Sequence, residues 1–324
     1  KDFHGVQATT SYGQSSRKDA KRRGATVTVG QTSDKASVAA GVGYSKSDMV
    51  LASRRKFSEN TLSLIGSAGG KIDSFIGGSG SSPYGNIQLP ASGPIHDAYA
   101  GCASNHVAVN KNSPAGADAV ADYHCYMNSG PNSDKYNYAS VNPLIAPSER
   151  SNAFFLGTYR FNDSITGYLD GYYAKTSSLG QNAPSLWGTP YGASIAANNY
   201  YNPFGIEYSR SGGQFLSRLE ALGNRVTHAS RNDAQIHTGL RGTFTLFEQG
   251  WNWDVGLDYG HSSQDSTSTG YASNNKLYTG PSFMDTDGVV KCGQPGQVTA
   301  NCDASFNPFV MASPNSKAAL QKAS

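Results

Sequence analysis

The sequence has few charged side chains and no long apolar run, and each shortage excludes a class of protein. Charged residues make up 15% of the 324 residues, against about 25% in an ordinary globular chain. The net charge of +3 is too small to predict a nucleic-acid partner. No apolar run approaches the roughly 18 residues that a membrane-spanning helix needs, so a helical membrane protein is excluded.

Motifs that would indicate catalysis are missing as well. The sequence contains no Gly-x-Ser-x-Gly elbow, no His-Glu-x-x-His pair and no Walker loop for phosphates. Asp254 and Asp258 share one face of a predicted strand, where two carboxylates could exchange protons with a substrate, but the wall of a hydrated pore is favoured. We therefore expect no enzyme activity, no cofactor and no metal site.

Glycine, tyrosine and small polar residues are abundant. The chain contains 37 Gly and 19 Tyr, and aromatic residues account for 11% of it. A disordered chain would combine high net charge with few aromatic residues, which is the opposite of this composition. The mixture favours an all-β protein with large polar loops.

Apolar and polar side chains alternate with a period of two along several stretches. In 236–246 and in 251–259, apolar residues occupy one row, while polar residues and glycines occupy the other, and Glu248, Gln249 and Gly250 form the turn between them. Runs of about ten residues with this pattern are typical of tilted transmembrane β-strands. The aromatic residues near the strand ends are placed as an interfacial girdle requires.

Two more hairpins follow the same pattern. One spans 25–44 with a turn at 33–35, and the other spans 153–173 with a turn at 162–164. The polar row of the last strand is predicted to face a lumen and contains Thr166, Tyr168, Asp170 and Tyr172. A soluble β-sandwich would also show alternation, but its strands usually have about 5–6 residues, so a transmembrane barrel is favoured.

Short turns alternate with long segments, as in bacterial outer-membrane barrels. The segments predicted to be long extracellular loops are 48–150, 177–213 and 261–324. If all short turns face the periplasm, the number of strands after the strand at 165–176, counted up to and including the strand at 234–246, must be odd. Only two such strands are evident, near 214–223 and at 234–246. Either a third lies near 199–210 or 214–246 is partly a raised extracellular hairpin.

The four cysteines fall into two local pairs, Cys102 with Cys125 and Cys292 with Cys302. Both pairs lie in long segments, and two loop disulfides in an oxidising compartment are the simplest interpretation. A zinc site built from Cys102, His106, His124 and Cys125 is the alternative. Adjacent His124 and Cys125 have a poor geometry for chelation, so the disulfide is favoured.

Several motifs together resemble the barrel of TonB-dependent outer-membrane receptors. They cover about positions 5–60 and 140–310. The matching stretches are Tyr12-Gly13, Arg22-Arg23, Gly41-Val42-Gly43-Tyr44-Ser45-Lys46, Glu149-Arg150-Ser151-Asn152-Ala153-Phe154, Asn202-Pro203-Phe204-Gly205, Gly239-Leu240-Arg241-Gly242, Trp251-Asn252-Trp253-Asp254, Tyr259-Gly260 and Phe306-Asn307-Pro308-Phe309.

The resemblance implies a barrel of about 22 strands with a plugged lumen in the outer membrane of a Gram-negative bacterium. About eight to ten strands are expected here, too few to close such a barrel, so residues 1–324 are interpreted as its N-terminal part. The plug is absent from the chain, as is the segment that contacts the TonB–ExbB–ExbD complex, and both are expected before Lys1. The implied function is energy-coupled uptake of a scarce nutrient such as siderophore-iron or a carbohydrate.

The expected partners are outer-membrane lipid and a small-molecule ligand. Aromatic residues in the long segments, together with two polar-row residues, are the candidate ligand-binding residues. They are Tyr123, Tyr126, Tyr136, Tyr138, Tyr200, Tyr201, His237 and Arg241. The alternative functions are a passive porin-like or adhesin barrel, which needs closure without a plug, and a secreted β-rich binding module, which needs no detergent.

Overall fold

The computed structural model describes residues 3–66, 72–111, 113, 120–130, 132–311 and 313–324. The strands, in chain order, are β1 (Gly5–Gly13), β2 (Arg22–Thr32), β3 (Ala36–Ser47), β4 (Val50–Leu51), β5 (Leu62–Gly66), β6 (Ile72–Ile76), β7 (Asn86–Gln88), β8 (His106–Val109), β9 (Tyr123–Cys125), β10 (Pro143–Ile145), β11 (Ser148–Asn162), β12 (Ile165–Asn182), β13 (Leu186–Gly188), β14 (Phe215–Arg218), β15 (Arg225–Leu246), β16 (Gln249–Thr269), β17 (Ser282–Met284), β18 (Val290–Gln294) and β19 (Gln297–Val298).

Helical structure in the described residues is confined to short elements. The two α-helices found there are α1 (Pro94–Ala98) and α2 (Pro314–Ala323). Single 3₁₀ turns lie at Ala52–Arg54, Val120–Asp122, Tyr138–Ser140, Thr189–Tyr191, Glu220–Leu222 and Asn274–Lys276. Within the described part of the chain, no helix is both long enough and apolar enough to span a membrane.

The chain divides into two compact units. Unit 1 consists of Lys1–Val50, Pro143–Gly180 and Thr227–Thr267. Unit 2 consists of Leu51–Asn142, Gln181–Val226 and Ser268–Ser324. The strands of both units form antiparallel sheets and helical structure is minor, so the predicted all-β class is confirmed.

Unit 1 contains an open seven-stranded sheet in the order β1-β2-β3-β11-β12-β15-β16. Each strand pairs with its predecessor in this order, and β1 and β16 are the edges. The hairpins β2–β3, β11–β12 and β15–β16 are the three that the alternation predicts.

The strand register separates the side chains of this sheet into two faces. Val27 pairs with Val42, Val42 with Ala153, and Ala153 with Tyr173. Directly opposed residues of antiparallel strands point to the same side of a sheet. We define the apolar face by Val27, Val29, Val38, Val42, Phe155, Leu169, Tyr173, Leu240, Phe244, Trp251, Val255 and Leu257. We define the polar face by Thr28, Ser37, Thr158, Tyr168, Asp170, His237, Arg241, Asp254 and Asp258.

The longest strands extend well beyond the predicted runs of about ten residues. β15 has 22 residues and β16 has 21. Residues 225–235 and 261–269 are mostly polar in both rows, so alternation of hydrophobicity does not reveal them, yet they continue the hairpin. Parts of the segments predicted as loops at 177–213 and 261–324 are therefore strand.

The turn between β15 and β16 has two residues, Phe247 and Glu248. Both have positive φ angles, 53° and 65°, as a type I′ hairpin turn requires. The predicted turn extended to Gly250, whereas Gln249 and Gly250 already belong to β16. Phe247 is 88% exposed at this end of the hairpin.

The connection from β12 to β15 resolves the parity question. β12 neighbours β15 directly in the sheet, so β15 is the single strand of this sheet that follows β12 before the next short turn, and one is an odd number. The stretch near 214–223 supplies β14, which belongs to a different sheet. The described residues thus contribute seven strands to the main sheet, fewer than the predicted eight to ten.

Unit 2 gathers the remaining parts of the predicted loops around one hydrophobic core. Its largest sheet has the order β13-β14-β7-β8-β9. Trp187 packs edge-on against Phe215 and Phe306, with ring centroids 5.7 and 5.5 Å apart. All three segments of the unit contribute to this core, so they form a folded body where the sequence predicted only loops.

Two Asn-Pro-Phe motifs place phenylalanine rings in this core through the same local hydrogen bond. The Asn202 side-chain oxygen accepts a hydrogen bond from the Phe204 backbone nitrogen at 3.1 Å, and Asn307 does the same for Phe309 at 2.9 Å. Such Asx turns are a favoured conformation of Asn before a turn. The Phe204 and Phe309 ring centroids lie 5.9 Å apart.

Both predicted disulfides are present in unit 2. Cys102 is bonded to Cys125 with a Cα–Cα distance of 5.3 Å, and Cys292 to Cys302 with one of 6.4 Å. Both distances lie in the usual range for disulfides. Cys102 and Cys125 are thus bonded to each other rather than placed as the zinc ligands of the alternative interpretation.

Candidate functional site

A cluster of ionisable side chains lies at the centre of the polar face of unit 1. β12 supplies Tyr168 and Asp170, and β15 supplies His237 and Arg241. β16 adds Asp254 and Asp258. Because alternate residues of a strand point to the same side, each pair projects from its own strand toward this face. The cluster thus includes both polar-row residues predicted as ligand contacts.

Tyr168 is the centre of the contacts in this cluster. Its hydroxyl donates a hydrogen bond to Asp254 Oδ1 at 2.6 Å. Its ring centroid lies 4.7 Å from that of His237, and the Arg241 guanidinium carbon lies 5.9 Å from it. The phenol is thereby held in one orientation on the polar face.

His237 lies between two carboxylates. Its Nδ1 is 3.7 Å from Asp170 Oδ2 and its Nε2 is 3.8 Å from Asp258 Oδ2. These separations exceed hydrogen-bond length, so water can bridge them. Exposed pairs of this kind contribute little to stability, which fits a hydrated surface.

Two glycines make room for the Tyr168 hydroxyl. A Cβ atom built on Gly256 would lie 2.5 Å from Tyr168 Oη, and a Cβ on Gly239 would also lie 2.5 Å from it. Both distances are far shorter than a van der Waals contact. The Gly-rich rows of β15 and β16 therefore permit the tyrosine to lie flat against the sheet.

The cluster borders a concavity of about 330 Å³ on the polar face. Donors and acceptors of both charges surround it, and Leu156 and Gly157 form an apolar part of its wall. This arrangement can bind hydroxyl-rich or hydrated polar solutes. Within the part of the chain that the structure describes, no group of His, Cys, Asp and Glu is arranged to hold a metal ion.

Two of the tyrosines predicted to bind ligand are buried in unit 2. Tyr123 is 5% exposed and packs edge-on against Phe204, with ring centroids 4.9 Å apart. Tyr126 is 4% exposed, and its hydroxyl donates to the Gly80 carbonyl at 3.1 Å. Burial and the neighbouring Asp134 raise the pKa of Tyr126. Their rings stabilise the core and offer no face to a ligand in this structure.

The remaining predicted tyrosines differ in accessibility. The Arg218 guanidinium covers one face of Tyr136, 4.4 Å from the ring centroid. Tyr138 and Tyr200 are exposed, and Tyr201 packs edge-on against Tyr200 with centroids 5.2 Å apart. Tyr138 and Tyr200 therefore keep accessible rings, and their role in binding stays a prediction.

Sequence reasoning missed Arg218 and its surroundings. Arg218 ends β14 and is almost fully buried, which is exceptional for arginine. The flanking residues Ser217 and Leu219 give no pattern that would distinguish it from a surface arginine. Its neighbours lie far away in the sequence, at Ser81 and Pro184, so only the folded chain reveals the site.

Comparison of the chain with protein-family models and with curated proteins gives no match.

Proposed function

We propose that the chain is part of an outer-membrane TonB-dependent receptor that imports a scarce nutrient, such as siderophore-iron or a carbohydrate. The observation that carries this proposal is the two-faced sheet of unit 1. The resemblance of the sequence motifs to that family supplies the identity of the transporter, and the two faces supply the physical reason for a membrane location.

The apolar face supports contact with lipid. Val255 and Leu257 on β16 and Val42 on β3 are all exposed, and no described side chains cover them. Exposed apolar surface of this extent is rare on soluble monomers. In a bilayer the same surface replaces lipid–lipid contacts at no hydrophobic cost, while the polar face lines an aqueous lumen.

The residues at one end of the apolar face also support its contact with lipid. On β3 the apolar row runs from Val38 to Tyr44, and Lys46 follows it. Lys46 forms an ion pair of 2.9 Å with Glu149, and Arg23 lies opposite Lys46 in the register. A tyrosine next to a charged row is typical of the boundary between hydrocarbon and headgroups.

The connections support a barrel with unequal ends. Short turns join β2 to β3, β11 to β12 and β15 to β16, while the long connections include most of unit 2. In the proposed receptor the short turns face the periplasm and the long connections are extracellular. Further strands would pair with the β1 and β16 edges to close a barrel of about 22 strands, because a bilayer does not tolerate open edges.

Spin labels on adjacent residues test the lipid contact. Leu257→Cys lies on the apolar face, and Asp258→Cys lies on the polar face of the same strand and serves as the matched control. The full-length protein is reconstituted in liposomes, and collisions with oxygen and with a water-soluble nickel chelate are measured. We expect oxygen to dominate at position 257 and the chelate at position 258. Equal chelate accessibility at both positions would contradict a membrane location.

Uptake measurements test the energy coupling. Cells that produce the parent protein are given radiolabelled ferric citrate or maltodextrin, with and without a protonophore. Uptake that the protonophore abolishes supports the receptor, whereas protonophore-resistant uptake supports the passive porin-like barrel. The reading frame before Lys1 gives an independent check, since a plug domain encoded there is a requirement of the proposal.

A further inference from the structure

Unit 2 holds a buried arginine that forms no ion pair with any described carboxylate. Arg218 is 2% exposed. Its Nε donates to the Ser81 carbonyl at 3.0 Å, and its Nη1 donates to the Pro184 carbonyl at 2.8 Å. Among the residues that the structure describes, no carboxylate forms an ion pair with it. Burying a cation in this way is costly unless a counter-charge is provided.

A second cation increases this imbalance. Arg225 donates through its Nε to the Ala183 carbonyl at 2.8 Å, one residue before the Pro184 carbonyl that Arg218 uses. Burial is the main cause that lowers the pKa of Arg218, and the charge of Arg225 lowers it further. Tyr136, Tyr191 and Glu220 raise this pKa and so offset part of the effect. Tyr136, stacked on the guanidinium, offsets only part of this cost.

The Arg218 side chain reaches a cavity. The cavity has a volume of about 440 Å³ and is lined by Pro83, Arg218, Glu220, Ala221, Met311 and Lys317. Arg218 Nη2 makes no hydrogen bond within the described parts of the chain, so its two N–H groups have no protein acceptor. Lys317, on α2, adds a second positive charge to the wall.

The geometry points to a binding site for an oxyanion-bearing small molecule, a carboxylate or a phosphate, in this cavity of unit 2. The anion accepts hydrogen bonds from Arg218 Nη2 and pairs with Lys317. The less polar part of the ligand lies against Pro83, Ala221 and Met311. As the ligand class of the receptor this inference rests on the proposed function, but binding itself is measured without transport.

Glu220 is expected to lower the affinity of this cavity for an anion. Glu220 lines the same cavity as the two cations, and its carboxylate repels an anion when it is ionised. Desolvation raises the pKa of Glu220, while the charge of Arg218 lowers it. Removing this charge is therefore expected to strengthen binding, which a general loss of structure cannot do.

Titration calorimetry on the purified full chain in detergent tests the site. The probes are citrate and inorganic phosphate, with glucose as the neutral control. We expect one or both anions to bind, glucose not to bind, and affinity to fall as salt is added. Citrate alone identifies a carboxylate site, and phosphate alone identifies a phosphate site.

Three variants locate the binding. Lys317→Glu is expected to weaken anion affinity about tenfold or more, because it replaces an attractive charge by a repulsive one. Glu220→Gln is expected to strengthen it several-fold. Lys56→Glu makes the same charge change at an exposed residue that does not line the cavity, and it should leave affinity within about twofold.

Two results would overturn the inference. One is the absence of binding by either anion at millimolar concentration. The other is an equal loss of affinity in Lys317→Glu and Lys56→Glu, which would show that only overall charge matters. Neither result bears on the spin-label or uptake experiments, so the failure of this site and the failure of the proposed function are separable.

Discussion

Two asparagines that begin the same tripeptide have different hydrogen-bond environments. The side-chain oxygens of Asn202 and Asn307 both accept from backbone nitrogens. The Asn202 amide nitrogen also donates to the Ala196 and Ile206 carbonyls, each at 2.9 Å. Asn307 makes no such donation within the described residues. The two positions therefore tolerate the loss of an amide to different degrees.

Substitution by aspartate separates the role of the side-chain oxygen as an acceptor from the role of the amide nitrogen as a donor. Asn202→Asp places carboxylate oxygen against two carbonyls and is expected to cost about 1–3 kcal/mol more than Asn307→Asp, which keeps the accepted hydrogen bonds. The measurement is thermal unfolding of each purified variant in detergent. Equal shifts of the melting temperature in the two variants would refute the assignment of the Asn202 donor.

Gly256 is expected to tolerate no side chain. In Gly256→Ala the new Cβ would lie 2.5 Å from Tyr168 Oη and 3.2 Å from His237 Nε2. Tyr168 must then move away from Asp254, and overpacking of this kind costs about 1–3 kcal/mol. Gly260→Ala, on the same strand and face with nothing within 4 Å, is the control. Thermal unfolding should show a lower melting temperature for Gly256→Ala than for Gly260→Ala. An unchanged melting temperature of Gly256→Ala would contradict the described packing.

At the scale of elements, the two disulfides close loops of different length. The bonded cysteines are 23 residues apart in Cys102–Cys125 and 10 apart in Cys292–Cys302. Chain entropy then predicts contributions of roughly 3.4 and roughly 2.7 kcal/mol. We therefore expect the first bridge to stabilise unit 2 more than the second.

Variants that retain a single bridge measure this difference. Cys292→Ala/Cys302→Ala keeps only the longer loop, and Cys102→Ala/Cys125→Ala keeps only the shorter one. For each variant, the melting temperature of the oxidised form is compared with that of the reduced form, so no side chain changes within a comparison. A larger drop for the shorter loop would show that chain entropy does not dominate.

The elements of unit 1 could be predicted because their signal is local. In β3 and β16 one side of the strand is apolar and the other is polar, so a period of two identifies strand and face together. The polar start of β15 lacks that contrast and was missed. The core of unit 2 was missed because Trp187, Phe215 and Phe306 come from separate stretches with no shared period.

The candidate binding residues were predictable only in part. The alternation of side chains along a strand was enough to assign His237 and Arg241 to the polar face. Burial of Tyr123 and Tyr126 depends on contacts with residues such as Phe204 and Gly80, which are distant in the sequence. Residue type alone therefore could not separate exposed tyrosines from buried ones.

At the scale of the whole molecule, the uncovered apolar face determines how the protein behaves in water. Residues along it are exposed on each of the seven strands of the sheet of unit 1, from Val6 to Leu257. We expect the purified full-length protein to remain monodisperse in detergent and to aggregate when detergent is diluted below its critical micelle concentration. Light scattering during the dilution is the measurement. A soluble monomer without detergent would favour the secreted β-rich module instead.

Because unit 2 is divided among three stretches of sequence, it cannot complete its fold until the last stretch has been synthesised. Its first stretch ends at Asn142, whereas its last begins at Ser268. Late contacts of this kind slow folding and leave early segments exposed to misassociation. The first stretch must wait while more than a hundred residues of intervening chain are made. During that interval apolar β7, whose partner β14 is made later, is a part of the nascent chain that needs a chaperone.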